Sequence, residues 1–344
     1  MSEQEKRTEL NDLGEFGLID RIKSNTTLQN ASSLLGIGDD AAIINPDGQQ
    51  VVISTDMLVE GIHFDLSYIP IKHLGFKAVA VNVSDIAAMN AIPQQITVSL
   101  GLSNRFSLEA IDVFYEGVKA ACDAYKVDLI GGDTTSSRSG LVISITATGL
   151  AKEGELVRRN TAQENEVICV TGDLGAAYVG LQVLEREKQV FQANPDMQPK
   201  LNEYKYIVGR QLKPEARMDV IHELREKGVQ PSAMIDISDG LASELMHICT
   251  QSGLGARIFE NNLPIDKETY DTAVTLNLDP ITCALNGGED YELLFTLSQK
   301  DYEIIKNHPD ISSIGYTAKA DRGLAFVTKN DNEVSIKAQG WKHF

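Results

Sequence analysis

Carboxylates recur in this sequence where chemistry is usually done. Asp40 lies in GIGDDAAI (residues 36–43), Asp56 ends VVISTD, Asp85 lies in VNVSDIAAM, and Asp133 lies in DLIGGDTT. Further along, Asp236 and Asp239 share MIDISDGL, and Glu289 and Asp290 share NGGEDYELLF. Several stand at the end of an apolar run beside Gly, Ser or Thr. Strand ends in α/β structures are where loops converge on ligand crevices. Adjacent like charges such as Asp39 and Asp40 cost free energy unless water or a cation compensates them.

Taken singly, an acid after a strand is most simply a turn former or a helix cap. Ser238 and Asp239, just before GLASELMHI, fit a cap. Asp85 differs, because a helix carrying Ala78, Val79, Val81, Val83, Ile86 and Ala87 is apolar nearly all round and has to be buried. A carboxylate there needs a partner. Basic residues are scarce beside these motifs, which points to a hard divalent cation. Magnesium takes carboxylate and water oxygens and completes its shell with substrate phosphates. At least one of Asp39 and Asp40 is therefore expected to be a metal ligand, with small neighbours letting the backbone approach.

Other features are weaker. TGDLGAA (residues 171–177) sits between a strand and a helix like a phosphate loop, but it lacks both G-x-x-x-x-G-K-[ST] and G-x-G-x-x-G, and a plain tight turn explains it. His63 in EGIHF reads equally as a ligand contact or a satisfied surface histidine. Arg158 and Arg159 fall in a charged linker, although a guanidinium suits a phosphate.

The elements that must position these residues read as alternating strands and helices. Residues 50–55 and 96–102 are rich in β-branched side chains and predict strands. An Ala-rich stretch over 73–89 predicts a helix between them. Ser107 is placed to cap a second helix running to about Tyr125, followed by strands over 127–130 and 141–148. The charged, turn-rich stretch over 149–165 marks a boundary between domains 1–150 and 151–344, and a new series of strands and helices starts at 166–171. Residues 187–209, with Pro195 and Pro199 among polar residues, read as a surface insertion.

Composition bounds the function. The chain has 344 residues, 42% hydrophobic and 23% charged, which is ordinary for a globular protein. With 31 basic against 49 acidic residues its net charge is −18, so nucleic acid is excluded as a partner while a metal-mediated phosphate contact is not. MSEQEKRTEL has no signal-like apolar stretch, and no segment predicts a membrane span, so a cytoplasmic protein is expected. Cys122, Cys169, Cys249 and Cys283 are too widely spaced to indicate a disulfide framework or zinc site.

Taken together, GIGDDAA, STDMLVEGIHF, VNVSDIAAMNA, LIGGDTT, DISDGL, GGEDYELLFT and the terminal GWKHF resemble the thiamine-monophosphate kinase family, within the aminoimidazole ribonucleotide synthetase superfamily. The resemblance runs in unbroken order from about Gly14 to the last residue. It implies an α/β (α+β), two-domain PurM-like fold, a homodimer whose N-terminal sheets join into a barrel, and transfer of the ATP γ-phosphoryl group to thiamine monophosphate. Residue by residue, it puts Mg²⁺ ligands at Asp40, Ser54, Thr55, Asp56, Asp85, Asp133, Asp236 and Asp239. Nucleotide contacts fall at Tyr115, Gly132, Asp133, Arg159 and Ser238, with the choice of Arg159 over Arg158 resting on a one-residue alignment. Substrate contacts fall at His63, Glu289 and Trp341, the chain's single Trp. Asn90 stands where the family usually has Gly, and the 187–209 segment is long for it.

The implied chemistry agrees with the residues. A phosphate-monoester acceptor, with a second pKa of about 6, is largely deprotonated at pH 7 and needs no histidine base. The obstacle is repulsion between two anionic phosphates, which several Mg²⁺ ions held by surplus carboxylates would relieve, so direct in-line transfer without a phosphoenzyme is expected. Related enzymes with reactive cysteines fit poorly, since the first Cys is Cys122 and the chain ends WKHF. A non-catalytic magnesium-nucleotide sensor on the same fold is the alternative from another class.

Overall fold

In the computed structural model, residues 33–35, 38–40, 42–45 and 48–337 are described. Trp341 lies outside them. The first unit is built on a six-stranded sheet. Its strands are β1 (Ser33–Leu35), β2 (Ala42–Ile44), β3 (Gln49–Val59), β4 (Ile92–Leu102), β5 (Asp128–Ser136) and β6 (Val142–Lys152), in the order β1-β2-β3-β6-β4-β5. All neighbours are antiparallel except β4 and β5. Helices α1 (Ile71–Ala88) and α2 (Leu108–Tyr125) pack on this sheet and on each other.

The predicted strands are all present but longer than their apolar runs, because β3 and β6 pair over their full eleven residues. Ser107 caps α2 by accepting from the Ala110 amide. The two helices meet through small residues: a Cβ on Gly75 would lie 2.1 Å from the Phe114 carbonyl oxygen, and one on Gly117 would lie 1.9 Å from that of Lys72. Such an approach is open only to glycine.

The second unit contains a seven-stranded sheet in the order β13-β12-β9-β11-β7-β10-β8. Its elements follow the chain as β7 (Val167–Thr171), α3 (Ala176–Ala193), α4 (Lys205–Leu212), α5 (Met218–Glu226), β8 (Ala233–Asp236), α6 (Leu241–Ser252), β9 (Leu254–Phe259), α7 (Lys267–Thr275), α8 (Pro280–Asn286), β10 (Leu293–Leu297), α9 (Gln299–Ile305), β11 (Ile311–Lys319), β12 (Leu324–Val327) and β13 (Glu333–Ser335). Much of the expected insertion over 187–209 is helical, since α3 runs through Ala193 and α4 begins at Lys205.

One hydrophobic core is continuous from the first sheet through α1 into the second unit, and a second core lies within the second unit. That continuity explains why α1 is buried on nearly all sides: it packs on its own sheet and also against β8 and α5. Asn90 follows α1 with φ +54, a left-handed conformation that Asn tolerates better than most side chains, and its side-chain Nδ2 donates to the Glu155 carbonyl. No helix among the described residues is long and apolar enough to cross a membrane.

Candidate active site

Three of the sequence-predicted acids meet. Asp40 follows a short bend after β1, Asp85 sits in the last turn of α1, and Asp236 ends β8; one carboxylate oxygen of each lies within 4.8 Å of the others. Small hydroxyls hold them in place. Ser54 on β3 donates to Asp85 Oδ2 and, at 3.4 Å, to the Asp40 carbonyl. Ser84, one residue before Asp85, donates to Asp236 Oδ2 at 2.7 Å and so ties the two units together. Asp56 joins the group from the inner face of β3, where Asn82 accepts from its amide at 3.0 Å.

The electrostatics show a cluster that is compensated only in part. Burial pushes Asp85 well above the ordinary carboxylate range, and Asp56, Asp236 and Asp40 push it further. Burial followed by Asp236 raises Asp56 to about 6. Asp40 is raised by burial against the opposing pull of Arg159, and Asp236 is raised by burial against Ser84 and Arg159. Four carboxylates that repel one another away from water are the donor set a hard divalent cation requires. Asp40 Oδ2 is buried with no hydrogen-bond partner, which fits a ligand atom in waiting.

The scarcity of bases near the motifs proves to be a property of the sequence and not of the fold. Arg159 returns from the linker to pair with both adjacent acids, Nε to Asp39 Oδ1 at 3.0 Å and Nη2 to Asp40 Oδ1. Arg158 makes no such contact and offers its carbonyl to Met234 and Thr161.

These groups flank a cleft of about 1020 Å³ between the units. Asp56, Asp85, Asp236, Ser238 and Asp239 line one part of it, and His63 and Glu289 line another. His63 Nδ1 accepts from the Val59 amide at 3.0 Å, which fixes the ring at the end of β3. The expected cap by Ser238 or Asp239 is not formed. Gly240 starts α6, and the buried Glu244 reaches back to accept from the Ser238 and Asp239 amides.

Asp133, Tyr115 and Gly132 stand elsewhere, around a cavity of about 420 Å³ beside β5. Register explains the separation. Asp56 pairs with Ile145, Ile145 with Val98, and Val98 with Gly132, so Asp133 falls in the next row and on the opposite sheet face from Asp56. Thr55 lies on that same outer face, its hydroxyl 2.7 Å from Thr146 Oγ1. Arg159 and Ser238 do not line this cavity.

TGDLGAA proves to hold no open anion site. The N-terminus of α3 receives the chain's own Asp290, which accepts from Gly175 at 2.8 Å and Ala177 at 3.3 Å. Sequence reading also passed over Lys77, Gln211 and Tyr291, all on the cleft wall. The signal for Lys77 was present: Lys77, Val81 and Asp85 recur at helical spacing within one apolar segment.

The AIR synthase related protein family matches this chain through its N-terminal domain over residues 38–151 and its C-terminal domain over 163–338. The thiamine-monophosphate kinase of Bacillus subtilis is 34% identical over 340 residues, covering 96% of this chain and all of that protein. That of Aquifex aeolicus is 33% identical over 335 residues, covering 97% and 99%. A solved structure of AaThiL complexed with AMPPCP and TMP superposes with a TM-score of 0.82 at 32% identity, covering 98% of this chain and 99% of that one.

Proposed function

The chain belongs to the thiamine-monophosphate kinase family, and from that premise we propose that it transfers the γ-phosphoryl group of ATP to thiamine monophosphate, giving thiamine diphosphate and ADP in the cytoplasm. The observation that carries the reading is the convergence of Asp40, Asp85 and Asp236, from three distant motifs, beside a cleft large enough for a phosphorylated heterocycle. The solved relative with an ATP analogue and TMP supports both substrates.

Asp40, Asp56, Asp85 and Asp236 would hold Mg²⁺, with Ser54, Thr55, Asp133 and Asp239 as the further ligands that the family pattern suggests. The metal, once bound, would neutralise the phosphates and align them for transfer. The chain's own residues do the rest. Ser54 and Ser84 fix the orientation of the acids, so that no reorganisation is needed as charge develops. Arg159 balances Asp39 and Asp40, and the family pattern suggests that its guanidinium would turn to a nucleotide phosphate. Tyr115, Gly132 and Asp133 are proposed to receive the nucleotide, and His63, Glu289 and Trp341 the acceptor. An acceptor that arrives deprotonated needs no base, so in-line transfer without a phosphoenzyme follows.

We also propose a homodimer joined along β5. Every residue of this edge strand is exposed, including Leu129 and Ile130, and an apolar open edge is a surface for strand addition. A barrel closed by two such sheets would bring the outer face bearing Thr55 and Asp133 inside.

The test of the activity is ³¹P NMR with ATP, Mg²⁺ and either thiamine monophosphate or unphosphorylated thiamine. Diphosphate and ADP signals with the monophosphate alone, lost in Asp85→Asn, support the reading. Bound ATP without turnover of either acceptor would overturn it in favour of a purine-pathway acceptor or, failing that, a nucleotide sensor.

A further inference from the structure

Lys77 is a charge placed where hydrophobic burial alone would exclude one. It lies in the middle of α1 and is 1% exposed. Its ammonium donates to Glu289 Oε2 at 3.0 Å and to the Gln211 carbonyl at 3.1 Å. Burying an ammonium is costly unless it is paired and hydrogen-bonded, and a purely structural role would be served as well by an apolar side chain of the same volume. Gln211 Nε2 donates to the same Oε2 at 2.6 Å. Both bonds fall on one oxygen.

The backbone beneath Glu289 is equally constrained. Gly288, Glu289 and Tyr291 have φ of +72, +58 and +52, a region costly for the two side-chain-bearing residues. The Glu289 amide donates to Ser238 at 2.7 Å and that of Tyr291 to Ile237 at 2.9 Å, which holds the strained turn against the strand carrying Asp236. Gln211 Oε1, beside the carboxylate, is buried with no hydrogen-bond partner. An unpaired acceptor on the wall of a ligand cleft marks the place of a missing donor.

Spacing gives the direction of the ligand. Lys77 and Asp85 are eight residues apart on one face of α1, about 12 Å along the helix axis, a span comparable with an extended thiamine monophosphate. With the phosphate at the acids, a ring at the far end would face Glu289 and Gln211, which line the same cleft.

We propose that Lys77 is a positioning residue for acceptor recognition, fixing Glu289 Oε2 so that Glu289 Oε1 and Gln211 Oε1 receive the two N–H donors of the exocyclic amino group on an aminopyrimidine. The inference rests on the proposed phosphorylation of thiamine monophosphate at this cleft. It makes the site selective for a donor at that ring position, since a site built to pair a polar group rejects the analogue that lacks it.

The experiment is steady-state kinetics of the full chain with ATP and Mg²⁺, comparing thiamine monophosphate with its analogue bearing an exocyclic oxo group in place of the amino group. Wild type is expected to discriminate against the analogue by roughly 10- to 100-fold in kcat/KM. In Lys77→Met, the KM for thiamine monophosphate rises roughly tenfold, discrimination falls within about threefold, and the KM for ATP is unchanged. Wild type accepting both compounds equally overturns the inference but leaves the kinase reading intact. Wild type accepting neither overturns both. A folded Lys77→Met that keeps its discrimination, or whose KM for ATP rises equally, also overturns it. Should that variant not fold, Gln211→Leu serves in its place, and the wild-type comparison stands alone as a test.

Discussion

The Asp290 carboxylate lies on the N-terminus of α3, accepting from the Gly175 amide at 2.8 Å and the Ala177 amide at 3.3 Å. An internal anion thus takes the position that the Gly-rich turn would otherwise offer to a phosphate. Burial nevertheless outweighs Arg210 and the two amides, and Asp290 is raised from 3.8 to about 7. A carboxyl raised in the folded state binds its proton more tightly there than in the unfolded chain. Its contribution to stability is therefore complete below pH ~4 and is lost as pH rises to about 7. In Asp290→Asn this fall, at most about 1.4 kcal/mol per pH unit, is expected to disappear over that window. Urea unfolding at a series of pH values measures it, and equal slopes in variant and wild type would refute the assignment.

Mutual repulsion among Asp40, Asp56, Asp85 and Asp236 predicts that the metal-free protein is destabilised by its own site. Mg²⁺ is expected to raise Tm, by mass action on the folded state. Asp85→Asn removes one of the mutually repelling carboxyl groups while leaving an amide oxygen that can accept from Ser54. It is expected to stabilise the metal-free protein, by on the order of 1 kcal/mol, and to lose most of the Mg²⁺-dependent gain. Thermal scans with EDTA and with Mg²⁺ decide the matter. A variant less stable than wild type in EDTA would count against the repulsion.

Ile130 is 64% exposed on the open edge strand β5. Ile130→Lys is expected to shift the protein from dimer to monomer, because a charge on an edge strand opposes strand addition. Sedimentation velocity at micromolar concentration reads this directly. A wild-type monomer at that concentration, or a variant that still dimerises, would remove β5 as the interface.

The acid cluster was legible in the sequence because strand ends and a buried helix leave local signatures. Asp85 needed a partner from its apolar surroundings alone, and Ser54 supplies one. What was not legible came from tertiary approach. Arg159 reaches Asp40 across 119 residues, and Lys77 reaches Glu289 across 212, so neither partner is visible from the motif of the other. Cap chemistry failed at Ser238 for the same reason: whether a hydroxyl or the later Glu244 takes the loop amides depends on the path of the loop, which composition does not encode. The placement of Asp133 and Thr55 on the outer face follows from sheet register, a property of pairing that one strand's sequence cannot reveal.

The close approach of α1 and α2 predicts intolerance at Gly117. A methyl group there would sit 1.9 Å from the Lys72 carbonyl oxygen, and both partners are backbone of packed helices. Gly117→Ala is expected to cost about 3 kcal/mol despite its better helix propensity, because separation of α1 from α2 disturbs the helix that carries Lys77 and Asp85. Chemical denaturation gives the loss. A neutral or stabilising alanine would show that the helices can part without cost.

Arg159 is the cation that balances Asp39 and Asp40, and its side chain is only 12% exposed beside them. Arg159→Gln leaves two adjacent carboxylates without charge compensation, so the metal-free protein is expected to lose about 3 kcal/mol. The same substitution removes the competitor for Asp40 Oδ1, and Mg²⁺ is therefore expected to bind the variant more tightly and to recover much of the lost stability. Nucleotide recognition moves the other way, with the KM for ATP rising roughly tenfold if the guanidinium turns to a phosphate. The opposite signs separate a counter-ion that yields to metal from a residue that merely supports the fold. Calorimetric Mg²⁺ titration showing weaker binding in Arg159→Gln would mean that Arg159 helps to build the metal site and does not compete with it.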